Sequence, residues 1–154
     1  MMTAKRKKLL IDVDRCMGCC ACEIACKMEY QLPRGVRFIV MKQSEDPAPM
    51  KEKLVFDFSV CRHCDHPVCF SACPSGAIYQ REDGIVLVDE DSCIGCGRCK
   101  TACPWGIPQI TDQGTMRKCS MCAARIDRGL RPACETACPA GAIRLLEANR
   151  GTVL

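Results

Sequence analysis

The residues Cys93-Ile94-Gly95-Cys96-Gly97-Arg98-Cys99-Lys100-Thr101-Ala102-Cys103-Pro104 read C-x2-C-x2-C-x3-C-P. In that spacing three close thiolates hold one [4Fe-4S] cluster and the fourth reaches a neighbouring cluster. Three more motifs of the same kind lie along the chain. Motif one is Cys16-x2-Cys19-x2-Cys22-x3-Cys26, with Lys27 where proline is usual. Motif two is Cys61-x2-Cys64-x4-Cys69-x3-Cys73-Pro74, motif three is the run above, and motif four is Cys119-x2-Cys122-x11-Cys134-x3-Cys138-Pro139. Four thiolates, one to each iron, complete the outer coordination of such a cluster, so the chemistry expected is one-electron transfer without an open substrate site. Catalytic residues are therefore expected to be none. Cys20 belongs to none of the spacings and is read as a small packed thiol. His63 and His66 fall inside motif two, where four thiolates are already supplied, so packing or a hydrogen bond to a cluster sulfur is their expected role.

Cysteine dominates the composition: 17 of 154 residues, above the ~8–10% that marks cysteine chemistry as the determinant of a small fold. A disulfide framework needs an exported chain. The apolar run after the basic start is only Leu9-Leu10-Ile11, short of a signal-peptide core, and no stretch approaches the ~18 apolar residues of a membrane span. The expectation is a cytoplasmic, thiol-reduced protein without membrane insertion. The 22 basic and 18 acidic residues give a net charge of +4, but the basic residues are scattered except at Lys5-Arg6-Lys7-Lys8. That run reads as a solvated tail, and no nucleic-acid partner is expected.

Short strands must position the motifs. Residues 9–13 lead into motif one, and Ala142-Ile143-Arg144-Leu145-Leu146 follows motif four. Residues 36–40 and 54–58 read as a hairpin around the polar loop Ser44-Glu45-Asp46-Pro47-Ala48-Pro49. Ala77–Gln80 and Ile85–Val88 flank Asp83-Gly84, a strong hairpin signal. Trp105-Gly106-Ile107-Pro108 reads as a compact loop, and so does the long gap of motif four with Arg125, Arg128, Gly129, Arg131 and Pro132.

An internal repeat decides how the motifs pair. Leu10–Cys19 matches Leu87–Cys96 in character, and Cys138-Pro139-Ala140-Gly141-Ala142-Ile143 matches Cys73-Pro74-Ser75-Gly76-Ala77-Ile78. The central half runs motif, strand, turn, strand, motif, and the outer half is a permuted copy whose hairpin joins the chain ends. The expected fold class is α+β: two bacterial-ferredoxin-like lobes of short hairpins and helices around four [4Fe-4S] clusters, with little hydrophobic core. The outer lobe takes residues 1–34 plus 109–154, the central lobe 59–108, and 35–58 is an inserted β-hairpin. The expected ligand sets are Cys16, Cys19, Cys22 and Cys138 (set one); Cys61, Cys64, Cys69 and Cys103 (set two); Cys93, Cys96, Cys99 and Cys73 (set three); and Cys119, Cys122, Cys134 and Cys26 (set four). Lys27, Arg62, Arg98, Lys100 and Lys118 neighbour ligands and are candidate tuners of cluster potential.

The four-motif pattern, with Cys-Arg-His-Cys-Asp-His-Pro-Val-Cys in motif two and Arg-Lys-Cys-Ser-Met-Cys in motif four, resembles the polyferredoxin-type iron-sulfur subunits of molybdenum and tungsten oxidoreductases. The likeness spans about residues 8–146. That family takes in electron-transfer subunits associated with formate dehydrogenase, dimethyl sulfoxide reductase, hydrogenase-linked proteins and aldehyde:ferredoxin oxidoreductases. The resemblance implies a non-catalytic electron-transfer subunit beside a large tungsten- or molybdenum-cofactor subunit, with a flavin subunit and self-association as further options. In size the chain looks most like the small subunit of an aldehyde oxidoreductase. All four cysteines of motif three are present, so no altered cluster is expected there. The alternative is a free soluble polyferredoxin serving several redox partners. Zinc is a poor fit to cysteine triplets, and the sequence lacks the nucleotide fingerprint of a self-contained oxidoreductase.

Overall fold

The computed structural model describes residues 5–45 and 54–148. Four two-stranded antiparallel sheets alternate with helices of four to nine residues. The first sheet pairs β1 (Arg6–Ile11) with β8 (Ile143–Ala148), from Arg6 opposite Ala148 to Ile11 opposite Ile143. The two ends of the described chain therefore share a sheet, as the repeat requires. The second pairs β2 (Ile39–Glu45) with β3 (Leu54–Val60), Ile39 facing Val60. The third pairs β4 (Ile78–Gln80) with β5 (Val86–Val88) across the Asp83-Gly84 turn. The fourth pairs β6 (Gln109–Ile110) with β7 (Met116–Arg117).

Each motif carries a short helix between its second and fourth cysteines or beside them: α1 (Ala21–Glu29), α2 (Val68–Ser71), α3 (Arg98–Ala102), and in motif four α4 (Ala123–Ile126) with α5 (Ala133–Thr136). Where proline follows the fourth cysteine the helix stops before it, because the residue ahead of proline is driven out of the α region. Cys103 is accordingly extended, at φ −75° and ψ 117°. Lys27 imposes no such stop, and α1 runs three residues past Cys26 to Glu29.

Three apolar clusters fill the interior, and cysteines belong to two of them. Val36, Phe38, Ile39 and Ile143 pack with Cys22, Cys26, Cys119 and Cys134. Ile78, Val86 and Met116 pack with Cys99, flanked by Ile110. Ile85, Met121, Ala123 and Leu145 form the third. Ile78 and Ile143, equivalent in the repeat, are each only 1% exposed.

Several expectations need correction. Lys5–Lys8 is not a solvated tail: Arg6, Lys7 and Lys8 lie in β1, half-buried, because carboxylates meet them. Arg6 and Lys8 both pair with Asp65, the latter at 2.9 Å; Lys7 approaches Asp83 at 3.8 Å and Glu147 at 3.5 Å. The Lys7 amide also donates to the Asp83 carbonyl at 2.8 Å, so β1 is clasped to the central half. The hairpin expected over 36–40 and 54–58 is shifted: Val36 and Phe38 are core residues, and strand pairing continues through Ser44 and Glu45. The rest of that loop, 46–49, and the polar tail beyond Ala148 lie outside the described residues. The gap of motif four is not all loop, since Ala123–Ile126 is helical. Hairpin β6–β7 was not expected. It repeats the central turn: Thr111 N–H donates to Thr115 O and Gly114 N–H to Thr111 O, each at 2.9 Å, as Arg81 does to Ile85 O at 2.9 Å and Gly84 to Arg81 O at 3.0 Å. Within this hairpin Ile110 and Met116 pack on Ile78, Val86 and Cys99.

Candidate iron-sulfur centres

The third residue of the first C-x2-C pair in each motif has a positive φ: Gly18 at 74°, His63 at 43°, Gly95 at 65° and Met121 at 54°. This left-handed step reverses the chain between the two cysteines and turns backbone N–H groups toward sulfur. The amide of Gly18 donates to Sγ of Cys16 at 3.4 Å, and that of Met121 to Sγ of Cys119 at 3.3 Å. Other loops add amides: Met116 to Cys93 at 3.3 Å, Ala133 to Cys122 at 3.5 Å, Ala142 to Cys138 at 3.2 Å. Such donors stabilise sulfur that carries negative charge. Sequence reasoning saw glycine at two of the four left-handed positions; histidine and methionine gave no signal at the others.

All seventeen cysteines have free thiols. Cys73, Cys93, Cys96 and Cys99 line one recess with about 300 Å³ of atom-free space, part of it open to solvent. Cys16, Cys19, Cys22 and Cys138 line another of about 330 Å³, with Cys20 beside them. The remaining neighbours are read from how the thiols act on one another. Burial pushes Cys134 up to about 12, and Cys122, Cys26 and Cys22 add to this. Burial likewise takes Cys26 to about 12, with Cys122 and Cys22 close by, and Cys22 to about 11, with Cys138 among its neighbours. The Cys69 thiol is raised by burial and by Cys61 and Cys103, against a lowering by Lys118. Cys99 is raised by burial, Cys93 and Cys73. Cys119 is raised by burial and then by Cys61, with Cys134 also contributing. Burial would raise Cys73 too, but the Ser75 hydroxyl and the amides of Ile78, Ala77 and Ser75 bring it below the ordinary thiol value.

A thiol binds a metal as its thiolate, so occupation of these groups would displace their protons. Among the described residues no three His, Cys, Asp or Glu side chains converge on a single-ion site. The thiols instead stand around recesses, which suits a cluster whose four irons each take one sulfur. Donor chemistry, recess and amide-to-sulfur bonds all fit [4Fe-4S] clusters.

The histidines separate. His66 is exposed. His63 is 1% exposed and accepts a hydrogen bond at Nδ1 from the Val86 amide at 2.9 Å, while its Nε2 has no partner among the described residues. Burial, Lys118 and Lys8 hold its pKa well below the ordinary histidine value, so the ring is neutral. Cys20 sits left-handed at the start of α1, its Sγ 3.7 Å from Gly18 O. Among the candidate tuners Lys118 is buried. Arg62 stacks 3.6 Å above the Trp105 ring, Lys27 Nζ donates to Pro33 O at 3.0 Å, and Arg98 and Lys100 are exposed.

No helix among the described residues is long and apolar enough to cross a membrane. The family model described as a 4Fe-4S dicluster domain matches residues 52–148. Among curated proteins the chain is 41% identical to the probable anaerobic dimethyl sulfoxide reductase chain YnfG of Escherichia coli K12, over 93% of this chain and 77% of that protein. It is 40% identical to the thiosulfate reductase electron transfer subunit PhsB of Salmonella typhi, over 88% and 73%. With a tetrathionate reductase subunit of Salmonella typhimurium it shares 39% over 89% of this chain and 56% of that one. With four cysteine motifs arranged around thiol-lined recesses and a matching domain over more than half its length, the chain belongs to the 4Fe-4S dicluster domain family of iron-sulfur proteins.

Proposed function

We propose that this protein is the electron-transfer subunit of a molybdenum- or tungsten-dependent reductase, relaying single electrons through four [4Fe-4S] clusters held by sets one to four. Each cluster, when bound, accepts and returns one electron without making or breaking substrate bonds. Neighbouring thiols within each set support this reading: Cys22 with Cys138 in set one, Cys69 with Cys61 and Cys103 in set two, Cys99 with Cys93 and Cys73 in set three, Cys134 with Cys122 and Cys26 in set four. Two lobes follow, with hairpin β6–β7 moved to the central one because Ile110 and Met116 pack there.

The observation that carries the reading is the contact between sets. Cys22, Cys26, Cys119 and Cys134 share one buried cluster with Cys61 packed against it, which joins set four to set one through Cys22 and to set two through Cys61. Set two meets set three because each borrows its fourth cysteine from the other's motif. The order is one, four, two, three. At its ends stand Cys19 and Cys96, the two exposed ligands, beside exposed Met17 and Ile94. Those ends are where electrons enter and leave.

The names of the relatives support a reductase of the dimethyl sulfoxide, tetrathionate or thiosulfate kind as the partner, in preference to the aldehyde oxidoreductase suggested by chain length. Anaerobic affinity purification from the native host, with metal and flavin analysis, tests this. A stoichiometric large subunit carrying molybdenum or tungsten is the expected result. Iron alone, with no stoichiometric partner, would mean a free polyferredoxin instead.

A further inference from the structure

Lys118 is 5% exposed, and among the described residues its ammonium is held by two backbone carbonyls, those of Val86 and of Cys119, the latter at 3.1 Å. No carboxylate among the described residues pairs with it. A buried ammonium without a counter-ion is strongly unfavourable. Through the same residue, Val86, the network continues to a second deficit. The Val86 amide donates to His63 Nδ1, so the neutral ring carries its proton on Nε2, and that buried N–H has no acceptor among the described residues. Lys8 Nζ donates to the His63 carbonyl at 2.9 Å and fixes this side of the network on β1.

Both deficits lie at one place. His63 is inside the Cys61–Cys64 loop of set two, and Lys118 adjoins Cys119 of set four. Cys119 belongs to the buried cluster against which Cys61 packs, so the two sets meet at this junction. An anionic group rich in sulfur acceptors beside the junction would satisfy the ammonium and the N–H together. Lys118 already acts on a thiol of each set, lowering Cys69 and Cys119 against their burial.

Resting on the four-set reading above, we propose that Lys118 and His63 form a buried pair that sets the potentials of the two middle clusters. Lys118 is their counter-ion, and His63 Nε2–H is a hydrogen-bond donor to cluster sulfur. Both favour the more negative, reduced form, so the potentials of sets two and four are higher than they would be without the pair.

The test uses the intact holoprotein. The chain has two histidines, so labelling with 15N-histidine and recording pulsed EPR of the reduced clusters reads their nitrogens in the unaltered fold. The expected result is a 15N coupling on a middle cluster that vanishes in His63→Gln and persists in His66→Gln. EPR-monitored redox titration of Lys118→Met should show two of the four couples moved to lower potential and two unmoved, with Lys118→Arg restoring them. At full iron content, no 15N coupling, or a Lys118→Met shift that is absent or equal in all four couples, would overturn the pair while leaving the relay intact. An iron content below four clusters in the unaltered protein would overturn the relay reading itself, and the pair with it.

Discussion

Gly95 offers a test of how tightly the cysteine loops are built. It lies between Cys93 and Cys96 at φ +65°, and a Cβ placed there would stand 2.0 Å from the backbone oxygen of Gly114 in the β6–β7 turn. Gly97, two residues on, has a similar φ of +74° and nothing within 4 Å of a Cβ. Gly97→Ala therefore meets only the left-handed penalty, about 1–2 kcal/mol, and Cys20 already occupies the matching position of motif one at φ 57°. Gly95→Ala adds a clash with main chain that no rotamer change relieves, about 1–3 kcal/mol more on the scale of overpacked cores. At ~1.4 kcal/mol per decade that difference makes the set-three cluster about 5- to 150-fold easier to remove. Anaerobic titration with an iron chelator reads it as loss of ~4 iron per chain, one cluster's worth. Equal chelator resistance in the two variants would refute the close approach of the Cys93–Cys96 loop to the β6–β7 turn.

Other outcomes follow from the same geometry. Ile143→Ala, at a core position joining β8 to Cys22 and Cys134, should destabilise the holoprotein by about 2–5 kcal/mol, measured by denaturant titration; a cost under ~1 kcal/mol would deny its place in that core. Lys27→Pro should cost about 3 kcal/mol by breaking α1, whereas Lys27→Met keeps the helix and isolates the charge; melting curves that rank them the other way would contradict the helix running past Cys26. Cys20→Ser should leave iron per chain unchanged, while Cys19→Ser lowers it; the reverse would reassign the fifth thiol of that recess. Chelating all iron anaerobically should abolish the far-UV helical signal, because two of the three apolar clusters contain cysteines and ligation supplies much of the folding energy. A cooperative melt in the iron-free chain would show that the apolar residues suffice alone.

The motifs and their permuted repeat were legible because ligand spacing is local and because Ala77-Ile78 and Ala142-Ile143 carry the same buried pattern. The pairing of β1 with β8 followed from the repeat alone. Hairpin β6–β7 was missed although Cys103-Pro104-Trp105-Gly106-Ile107 echoes Cys73-Pro74-Ser75-Gly76-Ala77, because two-residue strands are too short to alternate visibly. The basic start misled for a different reason. Charge runs read as solvated unless their partners are known, and Asp65 and Asp83 lie more than fifty residues away. Lys118 was legible as a candidate tuner and His63 as a residue for packing or a hydrogen bond to cluster sulfur, but their burial and their link through Val86 are tertiary facts that the sequence does not show. Helix α1 outlasting Cys26 was implicit in Lys27, once proline is understood as a stop.

The measurement that bears most directly on the account is the amount of iron and acid-labile sulfide bound per chain, taken on anaerobically purified protein with EPR quantification of the reduced clusters. Four sets of four thiolates predict ~16 iron and ~16 sulfide, with a spin total approaching four clusters. A value near 8, with signals from two clusters only, would contradict the account and leave eight of the motif cysteines without their proposed role.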